Sequence, residues 1–394
     1  MNAKAQGMGD HMIYRDFQDE KLSNLGLGLM RLPVLDGDDS KIDEAAAFEM
    51  IDYAYNHGVN YFDTAWGYHS GNSELTTGRA LKRYPRESFN LASKFPGYDV
   101  TNFGKHEEIF ATQLEKLQVD YLDFYLIHNV NELNIEQYLD DEQFGTISYF
   151  VEQKKAGRIR HLGFSCHGSF DTFKRFLDKY GDDMEFCQIQ LNYMDWTFQE
   201  VNRKVEYLNQ LNMPIWVMEP LRGGNLVEFE DCDKPALDAL RPGVFAVEWA
   251  YRFLQSIPGV AMVLSGSSTM EQLEQNIQLF SEDKPLNEQE MQAILAVGHR
   301  LATAGKLPCT KCHYCTSHCP MGLDIPYLIS LYNEHISRVG MRFMAPTAVS
   351  ALPEDKRPSA CIACRACEGV CPQQIAIADT FAQFVEMLKE EPQL

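Results

Sequence analysis

Eleven cysteines occur in this 394-residue chain, and eight of them fall in two copies of one pattern. The first copy is Cys309-x2-Cys312-x2-Cys315-x3-Cys319-Pro320, and the second is Cys361-x2-Cys364-x2-Cys367-x3-Cys371-Pro372. Two-residue gaps let a tight loop aim three thiolates at one point. The three-residue gap begins a helical turn that carries the fourth thiolate away. Eight thiolates spaced in this way point to iron–sulfur ligation. A tetrahedral zinc site needs only two C-x2-C pairs, so the third evenly spaced cysteine and the Cys-Pro are surplus to it. His313 and His318, inside the first run, read as loop residues. Cys187 and Cys232 have no partner pattern and read as small buried side chains. A second set of residues is polar. Asp63 follows NYF, Lys94 follows FNLAS, His128 follows DFYLI and Ser165 follows HLGF. Alone, each has an ordinary explanation: an aspartate at a strand end caps a helix, a lysine is solvated, a histidine is structural. Gathered on one rim, the four supply an acid, a cation and hydrogen-bond donors to a single site.

The elements that position these residues are legible from about residue 20 to 280. Short runs rich in β-branched and aromatic residues alternate with longer runs of helical spacing. Strands are expected at 25–29, 59–62, 89–93, 122–127, 160–164, 186–190, 214–218 and 260–264. Helices are expected at 42–57, 73–81, 106–117, 147–156, 170–179, 199–210, 244–254 and 270–280. Eight strand–helix units imply a parallel sheet closed into a (β/α)8 barrel of the TIM type, whose strand C-termini share one face. The competing open, doubly wound sheet ordinarily carries a G-x-G-x-x-G turn after an early strand, and none sits in that context. Residues 287–302 read as one more helix, and 375–388 as a helix closing the chain. The expected division is a barrel over 1–285, then a linker helix and cysteine-rich α+β domain over 286–394.

Composition narrows the function classes. Apolar residues make up 45% and charged residues 23%, as in a folded globular protein. The net charge of −21 argues against a nucleic-acid or anionic membrane partner. The first residues, MNAKAQGMGDHMIYRDF, lack the apolar stretch of a signal peptide, and no run is apolar enough to span a bilayer, so a cytoplasmic location is expected.

The cysteine runs resemble those of bacterial ferredoxins with two [4Fe–4S] clusters. In such modules the fourth cysteine of each run ligates the other cluster. The resemblance therefore assigns Cys309, Cys312, Cys315 and Cys371 to one cluster, and Cys361, Cys364, Cys367 and Cys319 to the second. Residues 20–280 resemble the aldo-keto reductase family. FDTAWGYHSGNSE matches its DTA-x-x-Y segment followed by S-E, LASKF its lysine segment and YLIHN its histidine segment. The resemblance makes Asp63, Tyr68, Lys94 and His128 a catalytic tetrad. Tyr68 would give a proton to a carbonyl oxygen, Lys94 would lower its pKa, Asp63 would hold Lys94, and His128 would orient the substrate. Trp66 and Tyr98 are candidate pocket walls.

The resemblance also implies a nicotinamide cofactor, NADPH or NADH. Ser165 in GFSCHG and Gln188 in FCQIQLN would hold the carboxamide, although Cys166 stands where the family often has asparagine. Met218 in VMEPLRGG takes the place of the family's aromatic ring, and Arg222, Gly223 and Gly224 follow it toward the pyrophosphate. In LSGSSTMEQLEQNI, the residues Gly266, Ser267, Gln272 and Asn276 fall at the adenosine-phosphate site. The function implied is reduction of an aldehyde or ketone to an alcohol, or the reverse, with a small carbonyl substrate and room for a redox partner at the clusters. The rival class is an electron-transfer or redox-sensing protein in which the barrel mainly binds nucleotide. No flavin motif is present to join a two-electron hydride donor to one-electron clusters.

Overall fold

The structure is a computed structural model that describes residues 12–307, 309, 315–337, 342–369, 371 and 373–390. It divides into two compact units, one through Leu295 and one from Ala296, with the division inside the helix Glu288–Thr303.

In the first unit a two-stranded hairpin, β1 (Tyr14–Phe17) and β2 (Glu20–Ser23), precedes eight parallel strands. These are β3 (Leu25–Gly28), β4 (Tyr61–Asp63), β5 (Asn90–Phe95), β6 (Leu122–Val130), β7 (Ile159–Cys166), β8 (Cys187–Gln190), β9 (Ile215–Met218) and β10 (Val260–Gly266). They pair in chain order, and β10 closes onto β3 with Gly266 opposite Gly28. The eight expected strands are therefore all present, each within a few residues of its expected ends. Every residue of β5 is buried, as strands covered on both faces require. The surrounding helices bury one face each. In Phe170–Tyr180 the buried residues Phe173, Phe176, Leu177 and Tyr180 recur at helical spacing, and Ser169 caps the start by accepting from Thr172 N.

The hairpin is the element that the sequence pattern does not announce. Its strands YRDF and EKLS are short and polar, but Phe17 is buried and inserts into the base of the barrel. The ring centroid of Phe17 lies 5.1 Å from Trp216, 5.7 Å from Phe124 and 6.3 Å from Phe186. Tyr61, Leu126, Met262 and Leu264 continue this core along the barrel axis. Gly26 is needed where β3 passes Leu264, because a Cβ there would lie 2.6 Å from a leucine methyl.

Strand β6 runs further than its apolar run suggests. Its pairing with β7 shifts register between Ile127 and Val130, and Asn129 takes a left-handed conformation at φ 55°. This irregularity follows His128 directly and turns the end of the strand at the barrel mouth. Asn131 and Asn134 each donate from Nδ2 to the Asn129 carbonyl at 2.9 Å, which pins the bend.

In the second unit the described regular elements are the helices Ile325–Ile336, Met344–Ala351 and Ile377–Glu390 with single 3-10 turns. Leu323, Ile325, Leu328, Ile329, Phe381 and Phe384 form its core, and Cys315 and Cys367 are buried in it.

Candidate active site and cluster-binding cysteines

Asp63 ends β4 and Lys94 is the penultimate residue of β5, so both project at the C-terminal mouth of the barrel. The buried Lys94 ammonium spends all three of its donors. Nζ donates to Asp63 Oδ1 at 2.6 Å, to the Thr64 carbonyl at 2.8 Å and to Tyr68 Oη at 3.2 Å. Burial opposes its charge, but the Asp63 carboxylate and Tyr68 outweigh that, so the lysine pKa lies above its ordinary value. Because the phenol oxygen accepts from Lys94, the phenol's own proton is left to point elsewhere. Tyr68 stands edge-on to His128, with centroids 6.1 Å apart, and Tyr98 closes on His128 from another side at 5.3 Å. Tyr98 comes this near because Gly67 lacks a side chain; a Cβ there would lie 2.4 Å from the Tyr98 hydroxyl. The structure brings all four tetrad residues together.

The electrostatics depart from expectation at Tyr68. Burial raises its pKa above 10 by more than the neighbouring Lys94 lowers it, so the phenol is held protonated. Asp63 also lies above the ordinary carboxylate range, through burial only partly offset by Lys94. His128 lies well below 6.5, through burial first, then the positive charges of Lys94 and His167. It is a neutral imidazole at physiological pH.

The segment that carries Tyr68 is unusual backbone. His69 and Ser70 both have positive φ, 52° and 55°, and Gly71 follows at 90°. His69 holds this turn. Its Nε2 accepts from Leu32 N at 3.2 Å, which leaves the ring proton on Nδ1 to donate to the Asp39 carbonyl at 2.9 Å. The sequence reading missed both Thr64 and His69, although they flank the residues it selected.

The expected nicotinamide residues lie on neighbouring strands, with Ser165 opposite Gln188. Ser165 Oγ accepts from Asn129 N at 2.8 Å, and its own proton remains to be given. Gln188 Nε2 reaches the half-buried Met218 Sδ at 3.5 Å, while Gln188 Oε1 is buried with no hydrogen-bond partner. A hydroxyl donor beside an orphaned amide acceptor matches the carbonyl and NH2 of a carboxamide, so these residues fit a nicotinamide.

Arg222 is buried, and its Nε lies 3.2 Å from both oxygens of the buried Asp195. Gln190 and Asn192 donate to the same carboxylate at 2.6 and 2.7 Å. Arg222 thus anchors the turn holding Gly223 and Gly224. Asn276 donates to Ser265 Oγ and Ser267 Oγ at 3.2 and 3.1 Å and accepts from Tyr251 Oη at 3.0 Å, which fixes the end of β10. Gln272 Oε1 accepts from Ser268 N at 2.9 Å. Gly266 is exposed, and the Arg31 stem lies against it: a Cβ on Gly266 would meet Arg31 Cβ and Cγ at 3.0 Å.

In the second unit Cys319, Cys361, Cys364 and Cys367 line one cavity with Leu323, Ile325 and Phe381. These are three cysteines of the second run and the last of the first. Among the described residues no three potential ligands gather tightly enough for a single ion. A cubane cluster takes one thiolate on each of four irons, and four cysteines lining one cavity are the donor set it needs. Cys309, Cys315 and Cys371 pack around the same core. Cys312 and His313 lie outside the described residues. Cys166 and Cys187 are buried thiols, but Cys232 is exposed, contrary to its reading as a buried residue.

Residues 24–298 match the family model of the aldo/keto reductases. The chain belongs to the aldo/keto reductase family. Residues 308–377 of this reductase match a 4Fe-4S dicluster domain, so it combines an oxidoreductase barrel with an iron–sulfur module. It is 30% identical over 216 residues to a probable aldo-keto reductase 1 of Glycine max, a match spanning 52% of this chain and 58% of that one. It is 27% identical over 228 residues to the NADH-specific methylglyoxal reductase of Escherichia coli, spanning 53% and 66%. Among solved structures, the aldo-keto reductase AKR11C1 from Bacillus halodurans in its holo form superposes with a TM-score of 0.59 at 25% identity, over 73% of this chain and 96% of that one. No helix among the described residues is long and apolar enough to cross a membrane.

Proposed function

We propose that this reductase transfers hydride between NADPH and a small aldehyde or ketone, with Tyr68 as the proton donor. The observation that carries the reading is the Lys94 ammonium, with one donor each on Asp63, Thr64 and Tyr68. The nicotinamide supplies the hydride when bound. Ser165 and Gln188 hold its carboxamide, the turn at Arg222–Gly224 admits the pyrophosphate, and Gly266, Ser267, Gln272 and Asn276 frame the adenosine end. His128 is neutral and its Nδ1 has no acceptor, so its one ring proton is free to sit on Nε2 and hydrogen-bond the carbonyl oxygen. Tyr68 then protonates that oxygen as charge develops, and Lys94 stabilises the phenolate left behind.

The choice of NADPH rests on Arg31, an exposed cation beside Gly266 that is in no described ion pair. Cys309, Cys312, Cys315 and Cys371 hold one [4Fe–4S] cluster, and Cys319, Cys361, Cys364 and Cys367 the other, serving structure or a redox partner. A reducing cytoplasm suits such clusters. The test is to purify the protein anaerobically and follow NADPH and NADH oxidation against a panel of aldehydes and ketones. Turnover with at least one carbonyl is expected, and Arg31→Ala should weaken NADPH binding while leaving NADH binding unchanged. Failure with every carbonyl overturns the activity, and equal loss for both nucleotides overturns the role of Arg31.

A further inference from the structure

A buried polar frame lies behind Lys94. Gln113, on the helix His106–Leu117, is fully buried and uses every polar atom it has. Its Nε2 lies 3.0 Å from the Lys94 carbonyl, 2.9 Å from Ser93 Oγ and 2.7 Å from Glu74 Oε1, while its Oε1 accepts from Tyr125 Oη at 2.6 Å. Glu74 is equally buried, and its Oε1 also accepts from Ser93 Oγ at 2.6 Å. Its other oxygen faces Lys116 Nζ at 3.4 Å, and that ammonium sits 3.9 Å from the centre of the Trp66 ring. The neighbour of Glu74 works in the opposite direction. Ser73 Oγ is 2.8 Å from Thr64 Oγ1 and donates to the Leu29 carbonyl at 2.9 Å. Thr64 is the residue whose carbonyl takes the second Lys94 proton.

Ser73 and Glu74 open the helix Asn72–Leu81, which continues directly from the Tyr68 turn. One dipeptide thus grips the end of β4 through Ser73 and the backbone of β5 through Glu74 and Gln113. The same segment carries the proton donor, Tyr68, five residues before Ser73. We infer that Glu74 and Gln113 are positioning residues for catalysis, setting the Lys94 ammonium against Tyr68 through the Lys94 backbone. Neither touches the reacting atoms. A buried carboxylate held by a hydroxyl, an amide and a lysine is a rigid support, because each partner left unpaired carries a desolvation cost. The inference rests on the reading of Tyr68 as proton donor.

The test uses the full chain with its clusters, handled anaerobically. Gln113→Met keeps the length of the side chain and removes its amide; Glu74→Gln keeps the shape and removes the charge. Each is compared with the parent and with Tyr68→Phe for kcat, nucleotide affinity, thermal midpoint and the pH dependence of alcohol oxidation. Misplacing a catalytic group by about 1 Å can cost on the order of 10²-fold, so Gln113→Met should lower kcat by roughly ten- to a hundredfold with NADPH affinity unchanged. With Lys94 less able to stabilise the phenolate, the rise of oxidation with pH should move to higher pH. Glu74→Gln should do the same more mildly, and it carries the test if Gln113→Met does not fold. A variant with a lower thermal midpoint but the parent's kcat and pH profile overturns the inference and leaves only a scaffold role. A parent inert toward every carbonyl, or a Tyr68→Phe variant as fast as the parent, overturns instead the reading on which the inference rests.

Discussion

At the scale of single residues, the chemistry turns on which protons are held. Replacing Tyr68 by Phe removes the acidic proton and leaves the ring that packs on His128. Nucleotide binding should survive while carbonyl reduction falls by roughly 10²–10⁴-fold, the usual worth of a general acid. Steady-state rates beside a nucleotide titration check this, and an unchanged rate excludes the assignment. The pH dependence follows from the same site. His128 is neutral well below pH 6.5 because burial and two cationic neighbours oppose its charge. Lowering the pH through 6.5 therefore leaves it unaltered, and carbonyl reduction should stay level from pH 8 to 6. Tyr68 is held above 10 by burial, so the acid form persists into the alkaline range and reduction should decline only there. A fall in rate centred near pH 6.5 would mean that His128 titrates in the active enzyme. Asp63, Lys94 and His128 were legible as polar residues at the ends of apolar strands, and Tyr68, which lies in the turn after β4, through the family resemblance of its DTA-x-x-Y segment. His69, Gln113 and Asp195 were not, because their roles depend on partners tens of residues away.

At the scale of elements, alternation of apolar strands with amphipathic helices made the barrel legible, since a parallel sheet covered on both faces leaves that texture in any chain. What failed was the reading of pieces whose burial is decided elsewhere. The β1–β2 hairpin is polar except for Phe17 and Leu22, and only the open base of the barrel makes Phe17 a core residue. The extension of β6 past His128 was hidden because the apolar run ends at Ile127, while in the fold the side-chain amides of Asn131 and Asn134 hold the Asn129 carbonyl at the bend that ends the strand. The hairpin permits a stability test away from the chemistry. Phe17→Ala empties a site bounded by Phe124, Phe186 and Trp216, and such truncations cost about 3–5 kcal/mol. A denaturant titration followed by tryptophan fluorescence should show a loss of that size, with kcat of the folded enzyme retained. A loss below about 1 kcal/mol would mean that the hairpin does not plug the barrel.

At the scale of the whole molecule, two redox chemistries of different electron count share one chain. The cysteine runs announced the module and its place, and the closing helix expected at 375–388 is present as Ile377–Glu390. The helices Ile325–Ile336 and Met344–Ala351 were not announced, since they form around the module's own apolar core. Two cubanes require about eight iron and eight sulfide per chain; anaerobic metal and sulfide analysis should find them, and zinc without labile sulfide would exclude the assignment. Whether the clusters take part in turnover is a separate matter. Nicotinamide gives up two electrons as hydride, a [4Fe–4S] cluster accepts one, and no flavin motif stands between them. Clusters of this kind also span potentials reaching roughly −700 mV, where nicotinamide is a poor reductant. NADPH alone should therefore leave the visible absorbance of the clusters unchanged under anaerobic conditions, while a strong chemical reductant bleaches it. Cys364→Ser should lower iron content, yet the correctly folded fraction should still reduce aldehydes, since Cys364 lines the cluster cavity and the hydride chemistry is assigned to the barrel. Rapid, stoichiometric bleaching by NADPH would reverse the assignment: the clusters would be the working centre and the barrel their nucleotide-binding input.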